Sequence, residues 1–107
     1  MQPRYTVQLT SEAYADLERL FDFVLTRELT RPGGDLDLAA QALDAIHQGF
    51  ALLQYHPFTC RKAGTNPFLR ELVMPFGHTG YVALFEVVDA NLVRVYAVRH
   101  PREDDYH

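Results

Sequence analysis

The chain has 107 residues and is 48% hydrophobic, which is enough for one domain with its own core over residues 1–107. Its net charge of −4 disfavours a nucleic-acid-binding protein with a wide basic face, and its single cysteine, Cys60, excludes an intrachain disulfide. The sequence has neither an apolar run of about 20 residues nor a signal-peptide pattern, so we expect a cytoplasmic protein with no membrane contact.

The first half of the chain predicts one strand followed by two helices. Residues 5–9 alternate between apolar and polar side chains, which is typical of a strand with one buried face. Apolar side chains recur at helical spacing over residues 13–24 and again over residues 39–53. The Pro-Gly-Gly sequence at 32–34 separates the two helices, and Asp35 is placed to cap the second one. The two segments therefore predict a helical hairpin.

The second half changes to the period of a β-sheet. Apolar runs at 68–76, 81–88 and 92–99 predict three strands, and turn residues at 77–80 and 89–91 connect them. Connections this short join antiparallel neighbours. The expected fold is therefore α+β with the order β-α-α-β-β-β, in which the two-helix hairpin packs on one face of an antiparallel sheet.

Two arginines interrupt these apolar strands. Arg70 shares a predicted face with Leu72, and strict alternation places Arg99 on the same face as Val95. A cation on a face that is not solvated needs a partner or a ligand. The simpler interpretation is that Arg70 pairs with a carboxylate such as Glu71 or Glu86 near a sheet end.

Most catalytic and cofactor motifs are missing from the sequence. The five histidines form neither an HxH nor an HExxH pattern, and Cys60 has no CxxC partner, so we predict no metal site. The glycine pairs lie in turns that do not precede a helix in the manner of a phosphate-binding loop, and GxGxxG and GxSxG are absent. We therefore expect no cofactor.

One chemistry remains compatible with the residues, which is metal-free cleavage of RNA by the neighbouring 2′-hydroxyl. It requires a base, an acid and cations around the phosphate. The candidate cations are Arg61, Lys62, Arg70, Arg99 and Arg102. His100 titrates in a useful range, with a reference pKa of about 6.5, and Tyr106 would need a pKa lowered by neighbouring arginines. The alternative is that the polar end of the chain is a solvated tail.

The chain also resembles a known family. Its order of elements and the strings YTVQLTSEAYADLERLFDFV, LLQYHPFTCRKA, FLRELVMPFGHTGYVALFEV and VRVYAVRHPREDDYH are similar to the RelE/ParE superfamily of bacterial toxins from type II toxin–antitoxin systems. The arginine before Glu-Leu, the Gly-Tyr strand and the closing Arg-His-x-Arg-Glu are distinctive in combination. The resemblance covers nearly the whole chain and implies the fold of that superfamily.

The resemblance implies one of two activities. RelE-like members are ribosome-dependent, metal-independent mRNA endonucleases, and by position Arg70, Arg99 and Tyr106 match their catalytic groups, with His100 as a further candidate. ParE-like members inhibit DNA gyrase by binding to it. The acidic balance, the long hairpin and the style of the C-terminal string favour the ParE-like branch, since the basic cluster ahead of the central strand is reduced to Arg61 and Lys62. Arg61, Lys62 and Arg102 are candidates for contacts with a phosphate or a partner.

Both branches imply the same protein partner. A cognate antitoxin would neutralise the toxin by lying on the helical hairpin or by adding to an exposed strand edge. DNA would be contacted only through the antitoxin complex. A third alternative is a non-toxic interaction module of the same fold, because fold alone does not fix function.

Overall fold

A helical hairpin lies on one face of a five-stranded sheet in the computed structural model, which describes residues 4–101. The elements in chain order are β1 (Thr6–Leu9), α1 (Ser11–Thr30), α2 (Asp37–Leu53), a 3-10 turn (Pro57–Thr59), β2 (Arg61–Lys62), β3 (Leu69–Met74), β4 (Tyr81–Val87) and β5 (Leu92–Arg99). The predicted α+β class, the hairpin and the three C-terminal strands are confirmed. The face that packs against α1 and α2 is called the helix face below, and the opposite one the outer face.

The sheet is mixed, whereas the sequence predicted an antiparallel one. Its order is β1-β5-β4-β3-β2, and the pairs β2–β3, β3–β4 and β4–β5 are antiparallel. β1 instead lies parallel to β5, with Thr6 opposite Leu92 and Leu9 opposite Val95. Short turns fix the orientation of the C-terminal strands, but β1 reaches its partner from the far end of the sequence, so no local signal sets its direction. The two-residue edge strand β2 was also not predicted, because Arg-Lys has no alternating pattern.

Side-chain hydrogen bonds define the ends of the hairpin helices. The Thr10 hydroxyl oxygen accepts the Ala13 amide at 3.1 Å and caps α1. α1 ends at Thr30, ahead of the Pro-Gly-Gly sequence. Asp35 was predicted to cap α2, but the N-cap position is Leu36, which makes no side-chain cap; the Asp35 carboxylate accepts the Asp37 amide at 3.0 Å from one residue further out.

Glu28 is a buried carboxylate that holds this connection together. Its side chain is fully buried in the last turns of α1, and it contacts Arg27 at 3.1 Å and Arg31 at 2.8 Å. The Asp35 amide donates to Glu28 Oε1 at 3.0 Å. That backbone bond is the main cause that lowers the pKa of the Glu28 carboxyl, against the opposing effect of burial, and both arginines lower the pKa further. Glu28 therefore carries its charge inside the fold and ties α1 to the start of α2.

A β-bulge changes which residues of β5 face the helices. The register shifts between Leu84 and Phe85 of β4, so that Leu84 opposes Ala97 while Phe85 opposes Val95. Val95 and Val98 are both fully buried even though they are three positions apart. The extra residue reverses the alternation beyond it, and Arg99 therefore lies on the outer face. The predicted sharing of a face by Arg99 and Val95 is wrong for this reason.

The core lies between the hairpin and the helix face of the sheet. Its fully buried side chains come from both layers, among them Ile46 and Leu53 of α2, Phe85 of β4 and Val93 of β5. The stripes predicted from helical spacing supply the helical side of this core. In the part of the chain from 4 to 101, no helix is long and apolar enough to cross a membrane.

Candidate functional site

Arg70, the central-strand arginine, makes several hydrogen bonds to backbone carbonyls. It lies opposite the buried Phe85 in the register, so its side chain starts from the helix face. Its Nε donates to the Pro67 carbonyl at 2.8 Å, and its Nη1 donates to the carbonyls of Cys60 at 2.7 Å and Phe58 at 3.2 Å. The guanidinium also lies 5.1 Å from the centre of the Phe58 ring. Arg70 thus fastens the 3-10 turn to the loop before β3.

The carboxylates that were expected to pair with Arg70 have other partners. Glu71 lies on the outer face, where its Oε1 accepts Arg61 Nε at 3.1 Å and its Oε2 accepts Arg99 Nη2 at 3.3 Å. Glu86 accepts the Tyr96 hydroxyl. The predicted ion pair of Arg70 is therefore wrong. The reason is that neighbouring positions along a strand point to opposite faces, which separates Arg70 from Glu71.

The outer face brings together two of the candidate cations. Arg61 of β2 and Arg99 of β5 meet at Glu71 of β3, whose side chain is only 18% exposed, while the arginines are 60% and 42% exposed. The result is a row of alternating charge across the outer face, named the Arg61–Glu71–Arg99 row below. Lys62, the neighbour of Arg61, is exposed and lies opposite Arg70 in the register.

A hydrogen-bonded tyrosine lies further along the same face. The Tyr96 hydroxyl donates to Glu86 Oε1 at 2.6 Å, and Arg94 Nε donates to Gln8 Oε1 at 3.2 Å beside it. The bond to Glu86 is the main cause that raises the pKa of the Tyr96 hydroxyl, and burial adds to it. Tyr96 therefore keeps its proton and serves as a donor, not as a base. Sequence reasoning missed this pair, because the bulge that aims Tyr96 at Glu86 arises only in the sheet.

Arg70, Arg99 and His100, the catalytic candidates that lie among residues 4–101, do not converge on one site. Arg70 belongs to the helix face and Arg99 to the outer face, with the sheet between them. His100 lies beyond Arg99 and turns back toward the helix face. Arg102 and Tyr106 lie outside the described residues.

His100 forms part of a cleft on the helix side of the sheet. Its Nε2 lies 2.7 Å from the Thr79 hydroxyl, and its ring meets the Tyr81 ring edge-on at 6.0 Å. The cleft runs between α1, the start of α2 and the β3–β4 turn, with a volume of about 890 Å³. Its walls are formed by Arg19, Leu20, Phe23, Val24, Arg27, Leu38, Gln41, Phe76, Gly77, His78, Thr79, Gly80, Tyr81 and His100. This set of residues is called the cleft below.

The cleft was not predicted, since its walls come from four separate segments of the chain. The only available signal was the spacing of Arg19, Phe23 and Arg27, which lie at i, i+4 and i+8 and so share one side of a helix. Phe23 is 62% exposed there. An apolar side chain of this size at an exposed helical position is a mark of a binding surface when it lines a concave site.

Cys60 is a buried thiol in surroundings that do not activate it. It belongs to the core, and burial raises the pKa of its thiol, while Arg70 and a hydrogen bond with Thr59 act in the opposite direction. A thiol with a raised pKa is a poor nucleophile. Within residues 4–101, no group of three or more His, Cys, Asp or Glu side chains is arranged to hold a metal ion.

The mixed sheet, its helical hairpin and the order of elements define a protein with the RelE/ParE-like toxin fold. The family model described as "ParE toxin of type II toxin-antitoxin system, parDE" matches residues 7–105, and the chain therefore belongs to this family. A solved structure, the chromosomal ParDE TA system from P. aeruginosa, is similar with a TM-score of 0.69 and 18% identity, over 92% of this chain and 98% of that one. At this identity the likeness establishes the fold alone. No curated protein matches the sequence.

Proposed function

We propose that this protein is a toxin that inhibits DNA gyrase by binding to it, and that a cognate antitoxin neutralises it. Membership of the ParE toxin family supports the toxin role. The observation that carries the choice of target is the separation of Arg70 and Arg99 on opposite faces of the sheet. Inhibition of gyrase by binding needs a binding surface and no catalytic group.

The separation matters because of what metal-free RNA cleavage requires. Several cations must converge on one phosphate to stabilise the charge that develops there. Arg70 donates to three carbonyls on the helix side, and Arg99 contacts Glu71 on the outer side. To reach a phosphate at Arg99, Arg70 would have to abandon its carbonyl contacts and reach around the sheet from the opposite face. The net charge of −4 also gives RNA no long-range attraction.

One observation supports a second candidate function, that of a ribosome-dependent and metal-independent mRNA endonuclease. Arg61 and Arg99 lie together in the Arg61–Glu71–Arg99 row, both substantially exposed. Two guanidinium groups that contact one carboxylate suit a phosphate if Glu71 gives way. In that function Arg99 would bind the phosphate, His100 and Tyr106 would transfer protons, and Lys62 and Arg102 would hold the RNA backbone.

The antitoxin would contact the outside of the hairpin or the free edge of β1. Tyr14 and Leu29 of α1 expose 58% and 62% of their surface, so the hairpin offers apolar anchors to a partner helix. Among residues 4–101, β1 ends the sheet and pairs with β5 on one side only. DNA would be bound mainly through the antitoxin in this complex, and we expect the complex to be cytoplasmic.

Inducible expression in a bacterium without the antitoxin tests the proposal. DNA breakage and mRNA cleavage are followed in parallel after induction, with antitoxin co-expression as the control that restores growth. We expect DNA breaks and the DNA-damage response to precede any loss of mRNA. Rapid mRNA cleavage in the ribosomal A site without DNA breaks would support the endonuclease instead. Normal growth with neither signal would indicate a non-toxic module.

A further inference from the structure

Two exposed phenylalanines contact each other beside β2, the strand at the other edge of the sheet from β1. Phe58 lies in the 3-10 turn and Phe68 just before β3, and they expose 46% and 50% of their surface. Their ring centroids are 6.2 Å apart, and the ring planes meet at 72°, edge to face. Single exposed apolar side chains are ordinary on a protein surface. Aromatic side chains in mutual contact are instead typical of the core of a protein interface.

Hydrogen bonds fix the backbone that carries these two rings. The Phe68 amide donates to Asn66 Oδ1 at 3.0 Å, and the Phe68 carbonyl accepts the Val87 amide at 2.8 Å. The Phe58 carbonyl accepts Arg70 Nη1 at 3.2 Å. Both aromatic side chains are therefore presented on an ordered backbone, which reduces the entropy that a partner would lose on binding them.

Two cations lie opposite each other at the same edge, and neither has a carboxylate partner among residues 4–101. Lys62 of β2 is the register partner of Arg70 of β3, so both side chains start from the helix face. Arg70 uses Nε and Nη1 for its three carbonyls, which leaves Nη2 without a hydrogen bond to the described residues. Like charges directly opposite each other on neighbouring strands repel. An anion bound between Lys62 and Arg70 would remove this repulsion.

The sequence around the two rings has a charge balance opposite to that of the whole chain. Residues 45–70 contain Arg61, Lys62 and Arg70 and no acidic residue, although the chain has a net charge of −4. Glu71, the next acidic residue along the chain, lies on the outer face and contacts Arg61. This segment therefore does not supply an anion for its own cations.

We propose that Phe58, Lys62, Phe68 and Arg70 form the surface that binds gyrase, and that this surface takes an acidic segment of gyrase in which an apolar side chain lies near a carboxylate. The four residues are called the Phe58–Phe68 patch below. The apolar side chain packs on the two rings, and the carboxylate accepts hydrogen bonds from Lys62 Nζ and Arg70 Nη2. The inference rests on the proposed function and adds the place and the chemistry of the contact.

A protein segment suits the Phe58–Phe68 patch better than a single-stranded nucleic acid does. Bases stack on open ring faces, but the Arg70 guanidinium already lies 5.1 Å from the centre of the Phe58 ring, and Phe68 meets that ring at 72°. Two cations in a chain of net charge −4 also attract a polyanion weakly.

The binding of gyrase to two variants of the patch tests the proposal. Phe58→Ser combined with Phe68→Ser removes both rings, and Lys62→Glu reverses an exposed charge on the edge strand. We expect each variant to raise the Kd for immobilised gyrase at least about ten-fold. The toxin concentration that halves supercoiling should rise by the same factor. Unchanged binding in either variant would overturn the proposal.

Matched controls separate a lost contact from a damaged fold. Val73→Ser removes an apolar side chain that is 49% exposed on the outer face, and Arg4→Glu reverses an exposed charge ahead of β1. Both controls should bind gyrase as the wild type does, and Lys62→Glu should unfold in urea at the same midpoint as Arg4→Glu. Equal losses of binding in the controls and in the patch variants would refute the role of the patch.

Two further outcomes distinguish the proposal from the function on which it rests. If the wild type and both patch variants inhibit gyrase equally well, the Phe58–Phe68 patch is not the contact surface and the proposed function stands. A wild-type protein that does not bind gyrase would contradict both. Fluorescence anisotropy with a labelled single-stranded oligonucleotide should show no binding, and binding that is lost on removal of the two rings would overturn the proposal in favour of a nucleic acid.

Discussion

Replacing Arg70 by methionine should destabilise the fold, because this arginine holds the loop before β3 to the 3-10 turn. A methionine side chain keeps most of the aliphatic length of arginine but removes every donor. Arg70→Lys retains a charge that reaches one or two carbonyls but lacks the planar fork, so it should fall between the wild type and Arg70→Met.

The size of the effect follows from the three carbonyl acceptors. The Cys60 carbonyl is partly buried, and leaving it without its donor costs about 1–3 kcal/mol. The contacts of the carbonyls of Phe58 and Pro67 are exposed, so water replaces Arg70 there at little cost. Loss of the cation–π contact with Phe58 adds about 0.5–1 kcal/mol. We therefore expect Arg70→Met to lower the free energy of unfolding by about 1.5–4 kcal/mol.

Urea unfolding followed by circular dichroism measures this loss. With a slope of about 1–2 kcal/mol/M, the midpoint should fall by roughly 0.8–4 M. Arg94→Met is the matched control, because Arg94 is also a strand arginine but makes an exposed bond to Gln8, and it should change stability by less than about 0.5 kcal/mol. If Arg70→Met were as stable as the control but had lost toxicity, Arg70 would act on a target and not on the fold.

Three further predictions concern a turn, a buried carboxylate and a tyrosine. Gly80→Ala should destabilise the fold far more than Gly77→Ala. Both glycines have positive φ, at 74° and 61°, but only at Gly80 would the added Cβ overlap backbone atoms. The Gly77 variant should lose about 1–2 kcal/mol in thermal or urea unfolding. Glu28→Gln should reduce stability near neutral pH. Because the folded-state pKa of Glu28 is lowered, the difference in stability from wild type should shrink as the pH falls from about 4.3 through that lower value. Urea midpoints measured across this range test the expectation, and a difference that does not change with pH would refute the charged role of Glu28. Glu86→Gln should bring the pKa of the Tyr96 hydroxyl down toward its ordinary value of about 10, measured by NMR titration of the ring, and an unchanged pKa would contradict the assigned cause.

Local patterns were sufficient to predict the elements that make up the core. The spacing of Leu17, Leu20 and Val24 placed the buried face of α1, and these three residues are indeed buried. Short turns defined the antiparallel order of β3, β4 and β5. The parallel placement of β1 was missed because it depends on a contact between the two ends of the chain, which no local pattern encodes.

The site was harder to predict than the fold, for two physical reasons. The bulge in β5 moves Arg99 to the outer face, and a single extra residue in a strand is invisible in an alternating sequence. Arg70 was expected to need an anionic partner, but carbonyl oxygens from Pro67, Cys60 and Phe58 meet the same need, and loop carbonyls carry no sequence signal. The cleft was missed because α1 and the β3–β4 turn meet only in three dimensions.

The most direct test of the proposed function is DNA supercoiling by purified DNA gyrase in the presence of this protein. The account predicts that the toxin blocks supercoiling and leaves gyrase-dependent breaks in the plasmid, and that adding the antitoxin restores activity. Heat-denatured toxin, as the control, should have no effect. Unimpaired supercoiling at saturating toxin, together with mRNA cut on purified ribosomes, would contradict the account and establish the endonuclease in its place.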